Sequence, residues 1–171
     1  MTILKSVLVA TTALYLCGPA LGEEPAADEP GTSTAFGRLQ ELTNRASDLA
    51  IHAMGMIGIR YKYGGDEPGT GLDCSGLVRY VFKEVWGKEL PRTAEEISHV
   101  GHKVDSRDLQ PGDLVFYNTL RRSFSHVGIY LGDNKFIHSP SAGGKVRIES
   151  MDVGYWRKRF NGARRINDPQ Q

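Results

Sequence analysis

Cysteine is nearly missing from this sequence: Cys17 and Cys74 are the only two, too few for a disulfide framework. Neither belongs to a C-x-x-C pair and no H-E-x-x-H occurs, so the common zinc-binding spacings are lacking. His99 and His102 stand three apart without an evident third ligand. They read as solvent-facing residues on or just beyond a short helix, and no metal or cofactor is implied. An excess of one charge is also lacking, with 21 basic against 20 acidic residues. Nucleic-acid binding needs a basic footprint, so that class of partner is excluded. No internal repeat is apparent. What remains is an ordinary globular composition, 40% hydrophobic and 24% charged, sufficient for the core of one domain.

Long apolar runs are absent too. Val7 to Leu16 is the apolar stretch near the N-terminus, far short of the roughly 20 residues a membrane span needs. Lys5 is the only charge in the first 22 residues, and Ala20 and Gly22 form an A-x-G arrangement suited to cleavage before Glu23. Residues 1–22 therefore read as an export signal, and the protein as periplasmic or secreted. A lipoprotein signal places a small residue before its modified cysteine, whereas Leu16 precedes Cys17. Simple secretion is favoured over a lipid anchor at Cys17. Residues 23–37, rich in proline, alanine and acid, read as a flexible tether, and 38–168 as the folded domain. The basic cluster Arg157, Lys158, Arg159, Arg164 and Arg165 reads first as a solvated face and second as a contact for an anionic polymer.

The domain then holds one thiol, Cys74. Exported proteins normally pair their cysteines, so a lone one is either buried and inert or a reactive nucleophile. Its surroundings bear on the choice. A helix is expected from about Arg38 to Ile57, because Leu39, Leu42, Ala46, Leu49, Ala50, Ala53 and Ile57 recur at steps of three and four. His52 falls off that stripe, at the surface. An irregular glycine-rich stretch follows up to Leu72. Asp73 is a good N-cap for a second helix that buries Leu77, Val78, Val81, Phe82 and Val85 and ends at Gly87. Cys74 thus lies in a first turn, where free N–H groups and the dipole favour a thiolate. Such a setting, with a nearby imidazolium, lowers a thiol pKa from about 8.5 into roughly 3.5–7.5.

Thr93 and Glu96 stand in capping-box register for a third, short helix. Beyond Pro111 the period becomes strand-like, at 113–117, 126–131 and 135–138, with Gly132-Asp133-Asn134 as a hairpin turn. Residues 146–148 and 163–166 are further strand candidates. Helices first and strands later imply an α+β domain with an antiparallel sheet. Within it, Cys74 starts a helix, His126 starts a strand, and His138 lies on the strand hairpinned to it. A cysteine nucleophile needs a base, and that base needs an orienting group. Either histidine alone could be a surface or core residue, Tyr61 could simply pack, and Asp73 could be only a cap. Specificity lies in the joint pattern.

That pattern resembles a family. Asp73-Cys74-Ser75-Gly76, preceded by Tyr61-Lys62-Tyr63-Gly64-Gly65, is similar to the nucleophile motif of NlpC/p60 cell-wall peptidases. Leu90-Pro91-Arg92-Thr93, Pro111-Gly112-Asp113-Leu114-Val115-Phe116, His126-Val127-Gly128-Ile129-Tyr130-Leu131-Gly132 and Phe136-Ile137-His138 resemble its later blocks in the same order. Tyr155-Trp156-Arg157-Lys158-Arg159-Phe160 and Ala163-Arg164-Arg165 resemble the tail of murein endopeptidases of the Spr/MepS type. The resemblance covers about residues 40–167. It implies a papain-like α+β fold with the nucleophile helix packed on an antiparallel sheet. By motif position it implies Cys74 as nucleophile, His126 as general base and acid, and His138 as the orienting residue. It also implies Tyr61, Ser75 and Asp73 at the oxyanion or substrate. The expected reaction is hydrolysis of peptidoglycan stem peptides, first of all at the D-Ala–diaminopimelate crosslink. Cleavage of γ-D-Glu–diaminopimelate, amidase or acyltransferase chemistry, and a noncatalytic wall-binding role are the alternatives. A monomer is expected, open to a regulatory adaptor or protease.

Overall fold

In the computed structural model, which describes residues 35–119, 122–142 and 144–167, helices come first and strands follow. The export segment, Cys17 and the tether up to residue 34 lie outside the described residues. Helix α1 (Ala35–Met54) buries Leu49, Ala50 and Ala53; the side chains of Leu39 and Leu42 are outside those described. The helix begins at Ala35 rather than Arg38 and stops at Met54 rather than Ile57. Past Met54 the backbone changes to i→i−3 bonds, with Met56 N–H on the Ala53 carbonyl at 2.9 Å. Gly58 N–H is then drawn to the Val146 carbonyl at 2.9 Å. This distant pairing overrides the helical period and leaves Ile57 exposed. His52, expected at the surface, is half-buried, its ring 6.2 Å from that of Tyr80 on the helix packed beside it.

The glycine-rich stretch holds a small ribbon, β1 (Asp66–Glu67) with β2 (Gly71–Leu72). Helix α2 (Cys74–Trp86) starts on Asp73 and ends on Gly87, whose φ of 63° is the left-handed cap a glycine adopts readily. Its apolar face buries Leu77, Val78, Val81, Phe82 and Trp86. Gly76 has no alternative here. A Cβ on it would lie 2.0 Å from the Gly65 carbonyl oxygen, so the helix start and the glycine loop touch backbone to backbone. Helix α3 (Ala94–Ile97) carries the expected capping box between Thr93 and Glu96.

Six antiparallel strands form the sheet: β3 (His102–Val104), β4 (Leu114–Tyr117), β5 (His126–Gly132), β6 (Lys135–His138), β7 (Arg147–Ser150) and β8 (Phe160–Arg165), in the order β3-β8-β4-β5-β6-β7. The β5–β6 turn has Asp133 at φ 49° and Asn134 at φ 53°, the conformation that suits a tight hairpin. Side chains alternate across β4. Leu114 and Phe116 join Leu49, Leu77, Phe82, Val127, Ile129 and Ile137 under the helices. Val115 and Tyr117 join Tyr130, Phe136, Trp156 and Ala163 on the other face. Burial on both faces explains why β4 reads as an unbroken apolar run. A short helix, α4 (Gly154–Arg157), brings Trp156 onto that second face.

His99 and His102 are exposed, the latter on β3. The basic cluster is not one solvated face. Arg157 and Lys158 are exposed, but Arg165 is half-buried and binds Asp113 through two bonds of 2.7 and 2.8 Å. Arg164 donates to the Ser98 carbonyl at 2.5 Å. Strand pairing of β8 with β3 and β4 draws these two inward.

Candidate active site

Asp73 caps α2 by accepting Gly76 N–H on Oδ1 at 2.7 Å, and its Oδ2 accepts Gly64 N–H at 3.0 Å. One carboxylate therefore ties the glycine loop to the helix start. Arg92, from the turn before α3, forks onto both oxygens at 3.2 and 2.5 Å. It also donates to Ser75 Oγ at 2.8 Å, and Ser75 donates to Asp73 at 3.1 Å. Bidentate pairing of this kind fixes orientation as well as charge. The Asp73 hydrogen bond pushes the Arg92 pKa up, so the guanidinium stays charged. Ser75 thus has its hydroxyl engaged inside this network.

Cys74 follows the cap and opens onto a cleft of about 500 Å³ lined also by Tyr61, Asp73, Ser75, Arg92 and His126. The backbone N–H groups of Val127, Ser75 and Cys74 itself act on the thiol and lower its pKa, but burial outweighs them and pushes it up to about 11. The nearby Asp73 charge adds to the rise. The expectation of a resting thiolate is therefore reversed. Desolvation beats the helix terminus, although Cys74 keeps part of its surface open to the cleft. Tyr61 is half-buried, and burial first, then charge at Cys74 and Asp73, pushes its phenol up as well. It remains a neutral O–H donor.

His126 is buried, and its Nε2 lies 2.8 Å from Nδ1 of the fully buried His138. That contact occupies the far nitrogen of His126 and leaves Nδ1 for the cleft. The two strands are neighbours, and the register Ile129↔Ile137 sets His138 opposite Gly128. A Cβ at Gly128 would lie 2.7 Å from the Ile137 carbonyl oxygen and 3.2 Å from His138 Cβ. Trp156 stacks on the His126 ring, 5.6 Å between centroids at 25°, and meets His138 edge-on at 4.9 Å. Burial pulls both histidines down to about 3, aided at His126 by His138 and at His138 by Arg147. The resting pair is neutral. A second cavity of about 320 Å³ shares Thr119, His126 and Ser141 with the cleft and has Arg147, Glu149, Tyr155 and Trp156 in its wall.

All six residues singled out in the sequence meet here: Cys74, Tyr61, Asp73, Ser75 and His126 line the cleft, and His138 backs His126. Three others carry the site without having been assigned a part in it. Arg92 and Trp156 lie inside motifs already quoted, and their residue types were the available signal. Glu149 had no local signal. Among the described residues, no three His, Cys, Asp or Glu side chains are grouped to hold a metal.

A thiol at a helix start, sharing a cleft with a histidine held by a second histidine, defines a domain built for nucleophilic thiol chemistry. The chain belongs to the NlpC/P60 family, which residues 58–165 match. It is 42% identical over 130 residues to the murein DD-endopeptidase MepH of Escherichia coli, covering 74% of this chain and 48% of that one. It is 43% identical over 113 residues to the gamma-DL-glutamyl hydrolase of Bacillus subtilis, covering 66% and 27%. A crystal structure of an NlpC/P60 family protein from Bacillus cereus has a TM-score of 0.65 and 34% identity, over 70% of this chain and 39% of that one. The chain thus spans about half the length of these relatives or less.

Proposed function

We infer that this protein is a peptidoglycan endopeptidase that cleaves stem peptides by a Cys-His-His thiol mechanism, in the periplasm or outside the cell. The observation carrying the reading is the 2.8 Å His126–His138 contact beside the Cys74 cleft. It leaves His126 Nδ1 as the base available to the thiol. As Cys74 Sγ attacks the scissile carbonyl carbon, its proton passes to His126. The developing oxyanion has the Tyr61 hydroxyl and the backbone N–H of Cys74 or Ser75 as donors. Collapse breaks the C–N bond, and His126 returns the proton to the leaving amine. Water then attacks the thioester with His126 as base, and the thiolate leaves with that proton.

Asp73, Ser75 and Arg92 form a polar wall on one side of Cys74, and the second cavity continues past His126. A substrate with peptide on both sides of the scissile bond suits that layout. The D-Ala–diaminopimelate crosslink is the preferred bond, supported by the likeness to a DD-endopeptidase. The likeness to a glutamyl hydrolase supports γ-D-Glu–diaminopimelate as the second reading. The test is digestion of purified crosslinked muropeptide dimers by the wild-type protein and by Cys74→Ala, read by mass spectrometry. Monomers released only by the wild type are expected. Trimmed stems with intact dimers would move the assignment to the glutamyl bond, and cleavage by Cys74→Ala would refute the mechanism.

A further inference from the structure

His138 has no exposure to solvent. Its Nδ1 faces His126, and its Nε2 is buried without a hydrogen-bond partner. A buried donor lacking an acceptor is destabilising, so a nearby acceptor is significant. Glu149 Oε1 lies 3.7 Å from that nitrogen. Glu149 sits on β7, one strand over, where His138 pairs with Arg147. Its carboxylate is pinned from two other directions. Arg147 Nε donates to Oε1 at 2.5 Å, and the Trp156 indole N–H donates to Oε2. The same Trp156 ring contacts both histidines. One carboxylate is thus anchored to the ring that packs on the pair, and it stands beside the buried His138 nitrogen that lacks a partner.

Tautomers decide what this contact does. Each neutral imidazole carries one proton, so a proton on His138 Nε2 makes Nδ1 an acceptor. His126 must then donate from Nε2, which leaves its Nδ1 lone pair free for the Cys74 proton. The opposite tautomer of His138 would put a proton on His126 Nδ1 and disable it as a base. We propose that Glu149 is a positioning residue for Cys74 chemistry: its carboxylate, 3.7 Å from His138 Nε2, favours the proton on that nitrogen and so selects the tautomer in which His126 Nδ1 is a base. Its charge also offsets the positive charge that reaches the pair when the thiol proton transfers. The groups facing the pair are Glu149 and Arg147 of β7, Asp73 ahead of α2, Cys74 in the cleft shared with His126, and Tyr117 of β4 in register with His126. Glu149 is the anion nearest His138, and Arg147 opposes it.

This inference rests on Cys74 as nucleophile but not on the identity of the substrate. The test is therefore the rate of Cys74 alkylation by iodoacetamide in the full chain, from about pH 5 to 9. Mass spectrometry follows the Cys74 peptide separately from that of Cys17. Glu149→Gln keeps the shape and removes the charge. It should slow alkylation roughly tenfold at each pH of this range, all of it below the buried thiol's titration at about 11. Glu149→Asp should recover part of the rate. Wild-type rates in Glu149→Gln would overturn the proposal. So would equal slowing in both variants, because loss of shape rather than charge would then explain it; Glu149→Asp alone decides if the glutamine variant fails to fold. Slowing seen in a protein that leaves muropeptides intact supports Glu149 and refutes only the substrate. Absence of Cys74 alkylation at every pH in every variant refutes both.

Discussion

Acid should destabilise this domain well above the pH at which carboxylates titrate, and the buried histidine pair sets the amount. In the folded protein His126 and His138 protonate only near pH 3, against an ordinary imidazole value of 6.5. Above 6.5 neither state carries these protons and the pair adds no pH dependence. Between 6.5 and 3 the unfolded chain binds protons that the folded chain refuses, so stability falls as the pH falls. Each histidine contributes about 1.4 kcal/mol per pH unit, hence about 2 kcal/mol at pH 5 for one and about 4 for two. The two share a hydrogen bond and repel when charged, so the loss lies between these bounds. Against a typical stability of about 5–15 kcal/mol, that is a large share. At about 3–5 °C per kcal/mol for a domain of this size, Tm should drop by roughly 6–20 °C between pH 7 and 5. Glu89, Glu96 and Asp105 do not confuse this window. Side-chain hydrogen bonds to Lys83, Thr93 and Arg107 pull them below their ordinary carboxylate values. The assay is thermal melting by circular dichroism in half-unit pH steps, on wild type and on His126→Gln/His138→Gln. A wild-type Tm that stays flat from pH 7 to 5 would refute the reasoning. So would an equally steep fall in the double variant.

Gly76→Ala should lower the urea midpoint by roughly 1–3 kcal/mol of stability, because its Cβ would press into the Gly65 carbonyl oxygen. Chemical denaturation checks this, and a midpoint within error of wild type would mean the helix and loop part easily. Tyr61→Phe should reduce kcat roughly 10²-fold with little change in KM if its hydroxyl meets the oxyanion. A rise in KM alone would instead assign the hydroxyl to ground-state binding.

Local chemistry makes much of the fold legible in the sequence. Asp73 as cap, Gly87 as stop, the Thr93–Glu96 capping box and the Gly132-Asp133-Asn134 turn are all signals contained within a few residues, and each formed where expected. Hydrophobic period located α2, β4 and the β5–β6 hairpin for the same reason. The signal weakened where partners are distant. The C-terminal end of α1 yielded to a bond between Gly58 and Val146. Strand β3 exists because it pairs with β8, more than fifty residues later, at His102↔Arg165.

The candidate site divides along the same line. The sequence by itself determined which residue starts the helix, which starts the strand, and that Cys74, His126 and His138 share one domain. Only the tertiary structure decided that Arg92 forks onto Asp73, that Trp156 stacks on His126, and that Glu149 lies beside His138. It alone decided the resting protonation of the thiol. A helix N-terminus favours thiolate as a local property, but desolvation depends on everything packed around the sulfur, and here burial wins. Caps and turns are set by neighbours in the chain, whereas charge states and side-chain relays are set by neighbours in space.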